Sequence, residues 1–342
     1  MRIFLFLFFL CTSYAQDFPV LGSLTSLDIL TWNVQNYPKH NQTNSYLSDI
    51  IDQTQVDIIA FQEIENQSAF NTLINSLSGD WIGYRSGNSN YGELSYLIKE
   101  SEITVTSIYE ILNSDQYYFA YRPPYVLELL HGGTSYVIIN NHFKCCGDGN
   151  LDLGDDGDEE YRRLISTQLL KEYVDQYYSN EKVIILGDLN DEINDNLSDN
   201  VFMDFLESSN YYFADYDIAY GSSSNWSYPP WPSHIDHIII SDELFSNFSY
   251  SNIQTFKVDS YFDGGWNSYD YYISDHRPLF IRFDSYDFIF GDINNDQTLD
   301  VLDVVLIVGL VMSEEYFIQA DMNEDETLNI VDIVILINQI MS

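Results

Sequence analysis

Carboxylates, imidazoles and side-chain amides recur in six short stretches of this chain: TWNVQNY (31–37), FQEIE (61–65), NNHFK (140–144), GDLND (187–191), SHIDHI (233–238) and SDHRP (274–278). Carboxylate and amide oxygens are hard donors for a divalent cation, and a histidine beside an aspartate moves protons near neutral pH. Together these groups suit hydrolysis of a phosphate diester. Such an ester is anionic and resists attack until its charge is neutralised and its leaving oxygen receives a proton. No single stretch is specific. The weight lies in the ordered set, each member on or just after an apolar run.

Those apolar runs are the elements that must position the groups. Segments 27–32, 57–62, 94–98, 125–130, 135–140, 182–186, 237–240 and 279–282 are rich in Ile, Val, Tyr and Phe and predict strands. Segments 46–53 and 160–177 predict helices, the second through Tyr161, Leu164, Leu169 and Tyr173 near helical spacing. Many short strands with few helices predict two packed sheets with outer helices. Loops at one end of such a sandwich can assemble a site from distant sequence.

At 342 residues the chain has room for one large and one small domain, and its 45% hydrophobic content excludes wholesale disorder. The formal charge is −40, from 53 acids and 13 bases, which implies a solvated acidic surface and argues against charge-driven binding of nucleic acid. Five of the scarce bases, Arg122, Lys144, Arg162, Arg163 and Arg277, stand near the motifs. Residues 1–15 read as a signal peptide: Arg2, an apolar core over 3–10, and Ser13-Tyr14-Ala15 before Gln16. A secreted protein is expected, with no integral membrane span, because 304–311 and 330–340 are apolar but short. After cleavage Cys145 and Cys146 remain. They either close a vicinal ring or stay as two thiols, and a zinc site lacks its second cysteine pair. The acidic, glycine-rich run 147–160 reads as a solvated loop, with a structural calcium site as the alternative.

Residues 286–342 differ from the rest, with twelve acids and no Lys or Arg. The loop DINNDQTLDVLD (292–303) is echoed by DMNEDETLNIVD (321–332), and an apolar helix follows each. Oxygen donors fall at positions 1, 3, 5, 9 and 12: Asp292, Asn294, Asp296, Asp300 and Asp303, then Asp321, Asn323, Asp325, Asn329 and Asp332. That pattern matches the many hard oxygens Ca²⁺ requires. Position 6, where a left-handed turn favours Gly, holds Gln297 and Glu326. Paired loops, each with a single helix, resemble a type I dockerin. The resemblance implies folding around calcium and docking onto a cohesin domain; the alternative is an acidic helical tail without metal.

The stretch 27–283 resembles the endonuclease/exonuclease/phosphatase superfamily, in its deoxyribonuclease-I-like branch. The implied fold is a four-layered α/β sandwich over 16–285, followed by a small all-α dockerin-like domain over 286–342. The resemblance gives Glu63 and Asn33 to an Mg²⁺ or Mn²⁺ ion, with Asp275 near it. His142 contacts the scissile phosphate or protonates the leaving oxygen. Tyr91 and Arg122 contact phosphates, and Glu93 orients His142. Asp188 and Asn190 position the nucleophile and stabilise the transition state, while Asp236 orients His276 as the base. Asp191 is expected to cap a turn, and His234 and His237 to be structural. The expected substrate is nucleic acid, DNA before RNA. The alternatives are a phosphatase or a sphingomyelinase-like phospholipid phosphodiesterase of the same fold, or a binding protein whose larger domain is inactive.

Overall fold

The computed structural model describes residues 17–23, 25–87, 94–248, 252–284, 289–294, 298–313, 316–323, 325 and 327–341. The leader expected at 1–15, Tyr91, Glu93 and Asp296 lie outside the described residues. Among those described, the strands are β1 (Ser26–Tyr37), β2 (Ile58–Ile64), β3 (Trp81–Arg85), β4 (Ser95–Lys99), β5 (Thr104–Glu110), β6 (Tyr125–His131), β7 (Thr134–His142), β8 (Val183–Asp188), β9 (Tyr211–Phe213), β10 (Asp236–Ser241), β11 (Ile253–Thr255) and β12 (Leu279–Asp284). The helices are α1 (Thr43–Thr54), α2 (Gln67–Ile74), α3 (Glu159–Tyr177), α4 (Met203–Leu206), α5 (Tyr216–Ala219), α6 (Trp266–Tyr272), α7 (Val301–Ser313) and α8 (Ile330–Ile340). The strands form two six-stranded sheets, ordered β11-β12-β1-β2-β4-β3 and β5-β6-β7-β8-β10-β9.

Period-two alternation gives each sheet two apolar faces. Leu30, Trp32, Val34, Ile59 and Phe61 turn one face of the first sheet to α1, α2 and α6, where Ile50, Phe70 and Tyr269 meet them. The opposite rows, including Ile29, Ile58 and Ile98, meet Leu127, Ile138, Leu186 and Ile240 of the second sheet. On the far side, Val137, Ile139 and Ile185 pack under Leu170 and Val174 of α3. The order helix, sheet, sheet, helix is a four-layered α/β sandwich. The buried stripe of α3 differs from the expected Tyr161–Leu164–Leu169–Tyr173 row, which is only partly buried. It runs through Arg163, Thr167, Leu170 and Val174, because the guanidinium of Arg163 is held by Glu160 at 3.1 Å and Asp191 at 2.7 Å.

The inward rows turn polar at one end of the sandwich. Ile29–Thr31–Asn33 on β1, Ile58–Ala60–Gln62 on β2, Ile138–Asn140–His142 on β7 and Ile184–Leu186–Asp188 on β8 all end this way, as does Ile240–Ile238–Asp236 on the oppositely directed β10. Polar bridges tie the sheets there: Gln62 Nε2 donates to Asn140 Oδ1 at 2.8 Å, and Asn33 Nδ2 to Asp188 Oδ2 at 2.9 Å. Gly187 permits the close approach of β7 and β8. Its φ is +134°, and a Cβ would meet the Asn141 carbonyl oxygen at 2.0 Å. Gly187→Ala is therefore expected to cost about 1–3 kcal/mol and to shift Asp188, seen as a lowered urea midpoint together with lost activity.

In the C-terminal segment α7 and α8 pack around Ile307, Ala320 and Leu336. No helix among the described residues is long and apolar enough to cross a membrane.

Candidate active site

Strand register places three of the predicted groups side by side. His142 lies opposite Asp188 across β7 and β8, and Asp236 lies opposite Asp188 across β8 and β10. His276 reaches them from the turn before β12. Its Nδ1 is 2.7 Å from Asp236 Oδ2, so its Nε2 faces the site, 3.8 Å from Asp188 Oδ2. His142 Nε2 approaches the same Asp188 oxygen at 3.5 Å. Two imidazoles thus converge on one carboxylate oxygen from different segments. The His276 backbone is fixed as well: its N–H donates to Ser274 Oγ at 2.9 Å, and that hydroxyl donates to the Asn33 carbonyl at 2.6 Å. Asn190, left-handed at φ 56°, donates from its N–H to Asp188 Oδ1 at 3.1 Å and from Nδ2 to the Phe143 carbonyl at 3.2 Å.

Burial opposes charge on His276, but the carboxylates of Asp236, Asp188 and Asp275 outweigh it and push the imidazole up to about 10. Burial raises Asp188, against the pull of both imidazoles. Asp236 falls below the usual carboxylate range, because the neighbouring His276 overcomes its burial. Neutralising these carboxylates returns His276 toward the range in which it can accept a proton.

Glu63 stands at the mouth of the same site. Its φ of 65° turns it out of β2, and Gln35 and Asn36 are left-handed too, at 36° and 50°. Such backbone costs about 1 kcal/mol or more per residue and collects at functional sites. Glu63 Oε1 accepts from Asn33 Nδ2 at 3.0 Å, Oε2 accepts from the Asn36 N–H at 2.6 Å, and Oε1 lies 4.0 Å from His142 Nε2. Asp275 Oδ2 accepts from Gln35 Nε2 at 2.8 Å; burial raises this carboxyl, against the pull of His276 and Lys39. Two carboxylates at the mouth of one site, with the Asn33 amide bonded to Glu63 through Nδ2 and to the Gln35 N–H through Oδ1 at 2.9 Å, suit a divalent cation. Glu63, Asn33 and Asp275 would hold it, and it would supply charge neutralisation to a bound phosphate.

The scarce bases brace the loops. Where a phosphate contact was expected, Arg122 donates to the carbonyl oxygens of His142 and Phe143 at 3.0 and 2.7 Å. Arg163 Nη1 donates to those of Lys144 and Cys146, both at 2.8 Å. Arg277 grips Asp259 through two 2.7 Å bonds, and Arg162 lies over the Tyr117 ring at 4.4 Å. Lys144 Nζ is 3.5 Å from Glu159. Asp191, expected to cap a turn, instead holds Arg163 Nε at 2.7 Å with one oxygen, while its other oxygen accepts the N–H of the next residue, Glu192, at 2.9 Å.

A residue without any motif anchors the wall behind Asp236. Asp215 Oδ2 meets His237 Nδ1 at 2.6 Å and His234 Nε2 at 2.9 Å. His237 Nε2 faces the Asp191 carbonyl at 2.9 Å, so both of its nitrogens donate and it is an imidazolium. His234 Nδ1 accepts the Ser227 N–H at 3.3 Å, so that ring is neutral. Ser227 Oγ in turn accepts the Asp236 N–H at 3.2 Å, and the Tyr228 ring lies 4.9 Å from that of His276. The titration directions agree. Burial lowers His237, but Asp215 outweighs it and the net value rises above the ordinary 6.5. Burial lowers His234, while Asp215 is held below 3.8, its burial overcome by His237 and His234. The pair's stabilisation is therefore full between those two ordinary values. It is lost as pH rises through the raised His237 value, or falls through the depressed Asp215 value. Asp215→Asn is expected to cost about 3 kcal/mol or more near pH 6. Urea midpoints measured from about pH 6 to about pH 9 should fall for the parent and change less for the variant; equal slopes would remove the pair from the account.

The two C-terminal loops repeat one bonding pattern. Asp303 Oδ1 accepts the Ile293 N–H at 2.8 Å and Oδ2 the Asp300 N–H at 2.9 Å; Asp332 does the same with Met322 and Asn329, both at 2.9 Å. Asp292, Asp303 and Asp332 are fully buried and Asp321 nearly so, a donor set that fits calcium. Asp300 Oδ1 and Asn329 Oδ1 accept the N–H of Leu302 and Val331 at 2.7 and 2.8 Å, so position 9 also caps each helix.

With this geometry in place, the chain's affiliation is plain: it belongs to the Endonuclease/Exonuclease/phosphatase family, whose model matches residues 30–276. Residues 290–341 match the Dockerin type I domain. Among solved structures, D. rerio TDP2 complexed with single strand DNA product aligns at a TM-score of 0.57 and 12% identity, covering 76% of this chain and 100% of that one. Humanized D. rerio TDP2 gives 0.56 and 11%, with the same coverage. The endonuclease/exonuclease/phosphatase from Bacteroides vulgatus gives 0.52 and 14%, covering 75% of this chain and 98% of that one. At these identities the likeness is one of fold. No curated protein matches the chain in sequence.

Proposed function

We propose that this chain is a secreted, Mg²⁺- or Mn²⁺-dependent phosphodiesterase that hydrolyses DNA. Residues 1–15 are its export signal, 16–285 its catalytic unit and 286–342 a calcium-loaded dockerin that docks onto a cohesin. The carrying observation is the convergence of His142 and His276 on Asp188 Oδ2, with Asp236 behind His276. His276 Nε2 takes the proton of the attacking water while Asp236 holds the opposite nitrogen in its N–H form. Asp188 and Asn190 orient that water and the phosphate oxygens. His142 hydrogen-bonds the phosphate and assists the leaving oxygen. A divalent ion on Glu63, Asn33 and Asp275 supplies charge neutralisation when bound.

A second reading, a phosphatase or sphingomyelinase-like enzyme, is favoured by one observation. The bases near the motifs are engaged with the protein's own carbonyls and carboxylates, on a chain of net charge −40, which suits a small or lipid-borne phosphoester better than a polyanion. Supercoiled plasmid, sphingomyelin and inositol phosphates are offered to one preparation, with chelator and with added Mg²⁺. Metal-dependent plasmid nicking is the expected result. Cleavage of only a lipid or inositol ester moves the assignment to the second reading, and inactivity on all three removes the hydrolase.

A further inference from the structure

Cys145 and Cys146 follow His142 by three and four residues, and both are exposed. Side chains of adjacent residues ordinarily diverge, yet here the two Sγ atoms lie 3.0 Å apart. The backbone brings them together, since Cys146 is left-handed at φ 73°. Two arginines hold that shape. Arg122 fixes the carbonyls of His142 and Phe143, and Arg163 those of Lys144 and Cys146. The thiols are therefore presented as a pair.

The pair is also wired to the candidate site. The Phe143 carbonyl accepts from Asn190 Nδ2, and the Phe143 N–H donates to the Asp188 carbonyl at 2.9 Å. Arg163, which holds the Cys146 carbonyl, reaches Asp191 with its Nε at 2.7 Å. A covalent change at 145–146 must alter the peptide between them, and with it the carbonyls on which these contacts depend.

We propose that Cys145 and Cys146 are a reversible dithiol–disulfide couple, closed by low-molecular-weight disulfides, that tunes the adjoining catalytic loop. The coupling to catalysis rests on the phosphodiesterase reading; the couple itself does not. In the first step the Cys145 thiol loses its proton and its sulfur attacks one sulfur of the small disulfide; the small S–S bond breaks, a mixed disulfide forms, and the leaving sulfur takes up a proton and departs as one small thiol. In the second, Cys146 loses its proton and attacks the Cys145 sulfur, releasing the second small thiol. Two protein thiols are oxidised by two electrons, and one small disulfide is reduced to two thiols. The order follows from the surroundings. The hydrogen bond with Cys145, then burial, hold the Cys146 thiol above its ordinary value, so Cys146 stays protonated while Cys145 attacks, with Lys144 Nζ 3.9 Å from the Cys145 sulfur. Alpha carbons joined by one trans peptide are about 3.8 Å apart, below the usual range of about 4.4–6.8 Å for bridged cysteines. Such a ring is strained and readily reduced, which suits a reversible switch.

The full chain is incubated with oxidised glutathione, and intact mass and phosphodiesterase rate are read before and after dithiothreitol. The parent should lose two hydrogens, carry no glutathione, and show a kcat/KM about tenfold lower that the reductant restores. Cys146→Ser should stop at a single glutathione adduct on residue 145. Cys145→Ser should react slowly, and the oxidant should leave the rate of either variant within about twofold of its untreated value. A parent that stays reduced, or retains glutathione on both cysteines, overturns the couple. Closure with an unchanged rate overturns the tuning. If no form of the protein cleaves any phosphodiester, the phosphodiesterase reading and the tuning fall together, while the masses still decide the couple.

Discussion

His276→Ala should lower kcat on a phosphodiester by about 10²–10⁴-fold, the usual scale for removing a positioned proton carrier. The variant should also lose stability. Asp236 is 1% exposed and His276 is its charged partner at 2.7 Å, so deletion strands a buried carboxylate at a cost of about 3 kcal/mol. The double variant Asp236→Asn/His276→Ala separates the two effects. It should be no slower than His276→Ala alone, because the residues act as one unit, and it should recover part of the lost stability. His142→Ala removes the 3.5 Å approach to Asp188 and the 4.0 Å approach to Glu63; it should lose activity on the same scale with a smaller change in Tm than His276→Ala. Steady-state kinetics and thermal melts on the four proteins check this. Additive losses in the double variant, or near-parent turnover in either histidine variant, would remove the assigned pairing.

Chelation of calcium should unfold the C-terminal module while leaving the sandwich folded. Among the described residues the module's hydrophobic cluster has three fully buried members, Ile307, Ala320 and Leu336, with partly buried side chains such as Leu299 and Phe317 packed against them. Ordering a backbone of this length costs about 1–2 kcal/mol per residue, which so small a core cannot offset. Buried Asp292, Asp303, Asp321 and Asp332 add mutual repulsion unless a cation sits among them. Excess chelator should therefore abolish the helical signal of α7 and α8 and open that segment to protease, and added Ca²⁺ should restore both. Asp303→Ala or Asp332→Ala should reproduce the chelated state, since each carboxylate also spans the two ends of its own loop. A module whose helices persist in chelator, with no heat of calcium binding, would show that protein contacts alone hold it.

The parts of the fold legible in the sequence, and the parts that were not, divide on a physical line. The eight predicted strands correspond to β1, β2, β4, β6, β7, β8, β10 and β12, and all eight lie in the interior of a sheet. The strands without a sequence signal, β3, β5, β9 and β11, are the four sheet edges. A strand such as β5, with Thr104, Thr106 and Glu110 interleaved among half-buried neighbours, lacks the apolar run that buried strands require. The site divides in a similar way. Groups at the ends of apolar strands, Asn33, Glu63, His142, Asp188 and Asp236, announce themselves because a polar residue there breaks the pattern. Asp215, Ser227 and Tyr228 come from loops between elements, where polar residues are ordinary and only the fold shows what they touch. Arg122 was visible as a rare base near a motif. That its guanidinium would meet carbonyl oxygens could not be read from one chain position.

Asn33 and Glu63 belong to one sheet, His142, Asp188 and Asp236 to the other, and His276 returns from the first. Neither half of the sandwich owns a working set. A breathing motion that parted the two layers at this end, with every ladder bond intact, would already silence the chemistry. Turnover is thus a gauge of how well the halves are seated, and a library screened for rate would also select tight closure between the layers.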